Sequence, residues 1–276
     1  MTGRVVVVGT PIGNLGDLAP RAVEALVLAD VVACEDTRRT GRLLQYAGVT
    51  ARALVRLDAN VEHEVAPQLV ERAAGGETVA VVSDAGLPGL ADPGAVVVRL
   101  AHDAGVPVVV VPGPFAGAVA AVASGLLDGS GRFSFEGFLP RRGRERSDRI
   151  ADLAGDDRPV VIYEAPHRVQ RTVGDLADAC GADRRVALCR ELTKLHETVW
   201  RGTLAEAGEH LVEVAPRGEY VLVVDAAAVA GDVDDAALVA AFDAEVAAGA
   251  TRRDAAVLVA RRFAVPPNRV KRLVAR

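Results

Sequence analysis

Lysine is almost missing from this chain. Of 32 basic residues only Lys194 and Lys271 are lysine, an arginine bias of the kind a GC-rich genome leaves. Arginine is effectively never deprotonated, so a lysine that survives such a bias marks a position where a tunable amine is wanted. Cysteine is scarce too. The three thiols, Cys34, Cys180 and Cys189, are odd in number and lack metal-ligand spacing, which excludes a disulfide framework and suits a reducing, cytoplasmic setting. No apolar run approaches the length that spans a bilayer, so no membrane partner is expected. The N-terminal run Val5–Val8 breaks at Gly9-Thr10-Pro11-Ile12-Gly13 without a small-residue cleavage pattern and reads as a first strand rather than a signal peptide. No Gly-Lys-Ser/Thr and no G-x-G-x-x-G follows that strand, which argues against an ATPase and an ordinary dinucleotide dehydrogenase. Ser/His/Asp order, a Cys-His pair and HExxH are also absent, so a hydrolase with a nucleophile is not indicated. His167 has no second ligand at metal spacing, and no metal is expected.

What the sequence does hold is three valine-rich runs that each empty into a glycine-proline loop. Residues 5–8 lead into Gly9–Asn14, 79–82 into Ser83–Gly89, and 108–111 into Pro112–Gly117. Such β-branched runs read as strands buried on both faces of a parallel sheet. Ligands bind outside the carboxyl ends of strands in these sheets, and glycine lets backbone approach them closely. One such loop alone reads equally well as a tight strand-to-helix turn; three together point to a small-molecule site.

At 276 residues, half of them hydrophobic, the chain fits two compact domains and an appendage. Residues 1–127 alternate strands and helices and form an α/β domain with a parallel sheet. Its expected helices are Pro20–Ala29, Thr40–Ala47, Val65–Ala74 and Gly94–Ala104, and its further strands Val31–Ala33 and Leu54–Leu57. Leu127–Gly131 reads as a linker. Residues 128–230 form a second α/β domain, with strands at 132–139, 160–163, 186–189, 198–202 and 220–224 and a helix at 170–179. Residues 231–276 read as a helical tail, with helices at 238–248, 252–263 and 269–275 and Thr251 as an N-cap.

Polar groups recur directly after the strands. Glu35-Asp36-Thr37-Arg38 is either a substrate-facing group or a solvated helix start favoured by the dipole. Glu164, in Tyr163-Glu164-Ala165-Pro166-His167-Arg168, could take a ligand's hydroxyls or amine. Arg190-Glu191-Leu192-Thr193-Lys194 ends another strand, and Gly218 precedes the last one. Net charge is −5, yet the stretch from Thr251 to Arg276 carries Arg252, Arg253, Arg261, Arg262, Arg269, Lys271, Arg272 and Arg276 against Asp254 alone. A second cluster comprises Arg141, Arg142, Arg144, Arg146 and Arg149. Local basic faces on an acidic protein are compatible with a phosphate backbone.

Read in order, GTPIGNLGD, CEDTR, VSDAGLP…DPG, VPGP, FEGFLPR, YEAPHR, RELTK and RGEYVLVV closely resemble the bacterial 16S ribosomal RNA (cytidine-2′-O)-methyltransferases, ribosomal RNA small subunit methyltransferase I, of the tetrapyrrole methylase superfamily. The resemblance implies a two-domain α/β fold, a helix-turn-helix-like tail, a homodimer, and S-adenosylmethionine folded into the cleft between the domains. Donor contacts would fall on Pro11, Asp84, Ala85, Gly86, Gly113, Pro114, Tyr163, Glu164, Leu192 and Gly218. The substrate would be 16S rRNA or the small ribosomal subunit, with Arg38, Asn60, Arg141, Arg142 and Arg168 on the RNA. Glu35, Asp36 and Lys194 are the candidates for catalysis. The sequence departs from the family pattern at Leu87, Gly89 and Phe115 and over Asp58-Ala59-Asn60-Val61-Glu62. The competing readings are a sister methylase acting on a corrin or on a diphthine-type modified histidine, and a non-catalytic nucleic-acid-binding protein with a degenerate donor cleft.

Overall fold

The computed structural model describes residues 3–227, 234–263, 265 and 267–274. Two compact units emerge, residues 1–120 with 190–198, and residues 121–189 with 199–276. The first unit is built on strands β1 (Arg4–Val8), β2 (Val31–Cys34), β3 (Leu54–Arg56), β4 (Thr78–Val81) and β5 (Val108–Val111). Their order is β3-β2-β4-β1-β5, and every neighbouring pair is parallel. The intervening helices are α1 (Pro20–Leu28), α2 (Thr37–Tyr46), α3 (Glu62–Ala74) and α4 (Ala95–Asp103), with α5 (Ala116–Ser124) after β5.

Both faces of this sheet are covered. Val5, Val31, Val79 and Val81 pack on one side with Leu69, Val70 and Val97. Val6, Val8, Val32 and Ala80 pack on the other with Ala22, Leu26 and Leu44. Each fully buried valine contributes about 1.5 kcal/mol, which is why these strands are unbroken runs rather than alternating ones. The run 108–111 is the exception to the expectation of two-sided burial. As β5 it lies at the sheet edge, and Val109 and Val110 are 36% and 51% exposed.

The second unit carries β6 (Ser134–Phe138), β7 (Val160–Glu164), β8 (Arg185–Arg190), β9 (Thr198–Thr203) and β10 (Tyr220–Val224), ordered β6-β7-β10-β8-β9. β6 runs parallel to β7, with a register shift between Phe135 and Gly137, and β10 runs antiparallel to it. Helices α6 (Arg144–Ala154), α7 (Pro166–Cys180) and α8 (Leu204–Glu213) cover a core that includes Ile150, Ile162, Leu176 and Leu222. α5, α6 and α8 were not expected from the sequence. α5 is apolar on every side and so shows no helical period. α6 is mostly charged and buries only Arg146, Ile150 and Leu153. α8 does carry a legible start, a capping box between Thr203 and Glu206.

The tail forms α9 (Asp235–Ala247), α10 (Arg252–Arg262) and α11 (Pro267–Leu273) around Leu238, Phe242, Val259 and Val270. Thr251 caps α10 as expected, its Oγ1 accepting from the Asp254 N–H at 3.2 Å. Residues 231–233, at the start of the expected tail, and Ala275, the end of its expected last helix, lie outside the described residues. No helix among the described residues is long and apolar enough to cross a membrane.

Candidate active site

Because every strand of the first sheet points the same way, the loops after β1, β2, β3, β4 and β5 gather at one edge. Backbone hydrogen bonds and close approaches stitch three of them together. The Thr10 N–H donates to Gly86 O at 2.8 Å and the Gly86 N–H returns to Thr10 O at 3.2 Å. Thr10 Oγ1 adds a bond to Ser83 O at 3.3 Å. Gly9 and Gly113 meet backbone to backbone, and a Cβ on Gly9 would stand 2.6 Å from the Gly113 Cα. The glycines therefore serve first to let the loops touch each other. Segment 190–198 closes on the same loops, with Leu192 O 3.0 Å from where a Cβ on Gly13 would lie. Its turn holds Glu191 and Thr193 at φ 51° and 66°, a conformation costly for residues with a side chain.

Within the first unit, this edge brings together Pro11, Glu35, Asp36, Asp84, Ala85, Gly86, Gly113, Pro114, Leu192 and Lys194, with Arg38 and Asn60 on its exposed rim. The carboxyl groups are linked. Glu35 Oε1 accepts from the Asp84 N–H at 3.0 Å, and Asp84 Oδ1 accepts from the Asp36 N–H at 3.1 Å. Asp84 also pairs with Arg39 at 3.4 Å. Asp36 is the N-cap of α2, accepting from the Arg38 N–H at 2.8 Å. The Arg38 guanidinium and N–H hold its carboxyl down at about 2. Burial pushes Glu35 the other way, upward, against the Asp84 N–H that favours its ionised form. Lys194 Nζ pairs with Glu191 Oε1 at 2.9 Å.

Asp92 also lies at this edge, beside Ser83, Glu35 and Asp84, and the sequence did not single it out. It sits in the loop between β4 and α4, after Ala91 at φ 63°. Burial, then the Glu35 charge, push its carboxyl up to about 7. The adjacent Ser83 hydroxyl offsets part of that rise, although Ser83 Oγ is buried and makes no well-formed hydrogen bond. The signal available in sequence was the turn-forming Asp92-Pro93-Gly94 within the β4 loop.

Leu87 has no structural explanation, and the other departures from the family pattern sit in defined local geometry. Gly89 adopts φ 86°, the left-handed region where a larger residue is strained. The Phe115 ring lies over Gly117, where a Cβ would come within 2.7 Å of the ring. Asp58 turns inward, accepting from the Asn60 N–H at 2.9 Å and pairing with Arg56. Glu62 caps α4, accepting from the Gly94 N–H at 2.7 Å and the Val96 N–H at 3.1 Å.

The second unit holds the remaining candidates. β10 enters its pairing with Tyr220 opposite Glu164, so Gly218, at φ 74°, lies by the end of β7 that carries Tyr163 and Glu164. Glu164 is fully buried. Its oxygens accept from Thr172 Oγ1 at 2.6 Å and from the Ala165 N–H at 2.9 Å, and pair with Arg168 at 3.0 Å. Arg168 in turn donates to Leu139 O at 2.8 Å, so Glu164 and Arg168 are engaged mainly with each other and with the 139 loop. Pro166 starts α7 rather than merely ending β7. Arg141 and Arg142 are exposed, whereas Arg146 and Arg149 of the same cluster pair with Asp175 and Glu136. In the tail, Arg252 lies over the Phe242 ring and Arg269 pairs with Asp235 at 2.8 Å, while Arg253, Lys271 and Arg272 face solvent.

Comparison with known proteins identifies the family. Residues 4–208 match the tetrapyrrole (corrin/porphyrin) methylases. The ribosomal RNA small subunit methyltransferase I of a Synechocystis species is 43% identical over 222 residues, covering 80% of this chain and 78% of the relative. The protein of that name from Xylella fastidiosa (strain Temecula1) is 44% identical over 228 residues, 82% of both chains. Among solved structures, a Thermus thermophilus uroporphyrin-III-C-methyltransferase superposes with a TM-score of 0.56 at 25% identity, over 80% of this chain and 94% of that one. A diphthine synthase superposes with a TM-score of 0.62 at 17% identity, over 80% and 90%, a likeness of fold alone. The chain thus belongs to the tetrapyrrole methylase family and, within it, to the ribosomal RNA small subunit methyltransferase I family.

Proposed function

We propose that this chain transfers a methyl group from S-adenosylmethionine to the ribose 2′-hydroxyl of a cytidine in 16S ribosomal RNA. The observation that carries the reading is the identity of more than 40% across four-fifths of the chain with relatives named for the small ribosomal subunit. The names of these relatives favour it over a corrin or diphthine-type methylase and over a non-catalytic binding protein.

The sheet edge of the first unit fits a polar methyl donor. Two buried hydroxyls there, Ser83 Oγ and Thr193 Oγ1, make no well-formed hydrogen bond, and such groups ordinarily find a partner. Pro11, Asp84, Ala85, Gly86, Gly113, Pro114 and Leu192 would hold the donor. Its sulfonium supplies an activated methyl group with a good leaving group. What remains for the protein is alignment and removal of the hydroxyl proton. A proton acceptor works best when its pKa is near the working pH. Asp92, at about 7, meets that condition, and burial shifts Glu35 upward, whereas Asp36, at about 2, keeps the cap of α2 and orients Arg38. Lys194 supplies positive charge beside the Gly13 turn. Arg38, Asn60 and Arg142, with Arg253, Lys271 and Arg272 of the tail, would contact RNA. The half-exposed edge strand β5 gives a surface that a second copy would cover, in a cytoplasmic homodimer.

The test is incubation with methyl-labelled donor and small ribosomal subunits lacking the modification, followed by digestion to nucleosides. Label in 2′-O-methylcytidine is expected. Label in a tetrapyrrole or a protein, or no label in RNA, contradicts the reading.

A further inference from the structure

The second unit contains a cavity of about 600 Å³ whose lining includes Phe138, Arg141, Arg146, His167, Arg168 and Arg171. Two of its arginines build the wall. Arg146, 3% exposed, donates to Asp175 Oδ2 at 2.7 and 2.9 Å, to Thr172 Oγ1 at 2.9 Å and to Pro140 O at 3.0 Å. Arg168 holds the neighbouring carbonyl, Leu139 O, at 2.8 Å. The backbone between Phe138 and Arg141 is thereby fixed from beneath by guanidiniums that are themselves neutralised by Asp175 and Glu164.

The remaining groups face outward. Arg141 and His167 are exposed and make no ion pair among the described residues. Arg171 has one ion pair there, a long 3.7 Å approach to an Asp175 oxygen that Arg146 already holds at 2.7 Å. Four guanidiniums thus meet two carboxylates, and the first turn of α7 adds the positive end of its dipole. Beside them the Phe138 ring is 55% exposed and braced edge-to-face on Tyr163 at 5.5 Å. A rigid exposed aromatic next to unneutralised arginines is the pairing that holds single-stranded nucleic acid, with the base stacked and the phosphate on the cations.

We propose that this cavity is a nucleotide subsite. It stacks one unpaired base of the RNA substrate on Phe138 and holds the adjoining phosphate with Arg141, His167 and Arg171. The proposal deepens the RNA-directed reading above and rests on it for the identity of the RNA.

The test measures binding of a fluorescent single-stranded oligocytidylate to the full chain by anisotropy across a salt series. Phe138→Ala should weaken binding about tenfold, and Phe138→Trp should restore it. Arg141→Ala combined with Arg171→Ala should make the plot of log affinity against log salt shallower by about 0.7 for each phosphate no longer neutralised. Arg99→Ala, on α4, should change neither. Donor affinity by calorimetry should stay unchanged in all variants, which also shows that they fold. Wild-type oligonucleotide binding that is absent at low salt, unaffected by these substitutions, or matched by an oligoglutamate competitor overturns the proposal, as does a weakened donor affinity. A variant series that behaves as expected in a protein that labels no RNA would instead leave the subsite standing and remove the rRNA methylation reading.

Discussion

In the first unit Glu35, Asp84 and Asp92 stand together at a half-buried sheet edge, and burial, then the charge of neighbouring carboxylates, raises Glu35 and Asp92. In the second unit Arg141, Arg146, Arg168 and Arg171 stand together around a cavity with Glu164 and Asp175 as counter-charges. One cluster is anionic and tuned toward neutrality, as suits holding a proton. The other is cationic and anchored, as suits holding a phosphate. On the roles proposed above, the difference separates two tasks of an RNA-modifying enzyme, chemistry and grip, onto two parts of the chain. It also shows that like charges gathered in a fold need not share a role, since Arg146 braces a loop while Arg141 is open to solvent.

The sharpest way to break the cationic side is Glu164→Ala. It leaves Arg168 without its buried partner and Thr172 Oγ1 without its acceptor. Breaking such a pair should cost about 4 kcal/mol, read as a fall in the denaturant midpoint. On the anionic side, Gly9→Ala drives a methyl group into the Gly113 backbone and should cost about 3 kcal/mol by the same measurement.

Asp92→Asn sharpens the contrast through pH. A carboxyl raised to about 7 in the folded state binds its proton more tightly there than in the unfolded chain. The stability it contributes is full below the ordinary carboxylate range and is lost as pH rises through about 7. The variant should therefore be more stable than the native chain at pH 8, on the order of 2 kcal/mol, with a flatter stability profile between pH 4 and 7. Its methyl-transfer rate should also lack the rise through pH 7 that is expected of the native chain as Asp92 ionises. The smallest effect belongs to Thr203→Ala, which removes the α8 capping box, distant from both clusters in role. Thermal unfolding should register about 1 kcal/mol, with kinetics unchanged.

The anionic edge was largely legible in the sequence, because each piece follows a valine-rich run that forms a strand of the parallel sheet. That rule puts Gly9, Glu35, Asp84 and Gly113 in loops at strand ends, and the family resemblance singled out Glu35, Asp84 and Gly113 among them. Asp92 was not, since it lies several residues into a loop and its raised pKa comes from burial in the fold and then from Glu35, which is remote in sequence. The cationic cavity was visible only as composition. An arginine run does not say which members turn inward, and Arg146 does so because Asp175, Thr172 and Pro140 O converge on it from α7 and the β6 loop. Helix α6 escaped notice for the same reason, its buried face including a charged residue that periodicity counts as solvent-facing. The edge position of β5 follows from strand order, which a valine run does not encode.

Steady-state methyl transfer to small ribosomal subunits, measured side by side for Asp92→Asn and for Arg141→Ala with Arg171→Ala, tests the division most directly. Asp92→Asn is expected to lower kcat with little change in the KM for RNA, and the arginine pair to raise that KM with kcat nearly unchanged. Equal losses of kcat in both variants, or a raised KM from Asp92→Asn alone, would contradict the division.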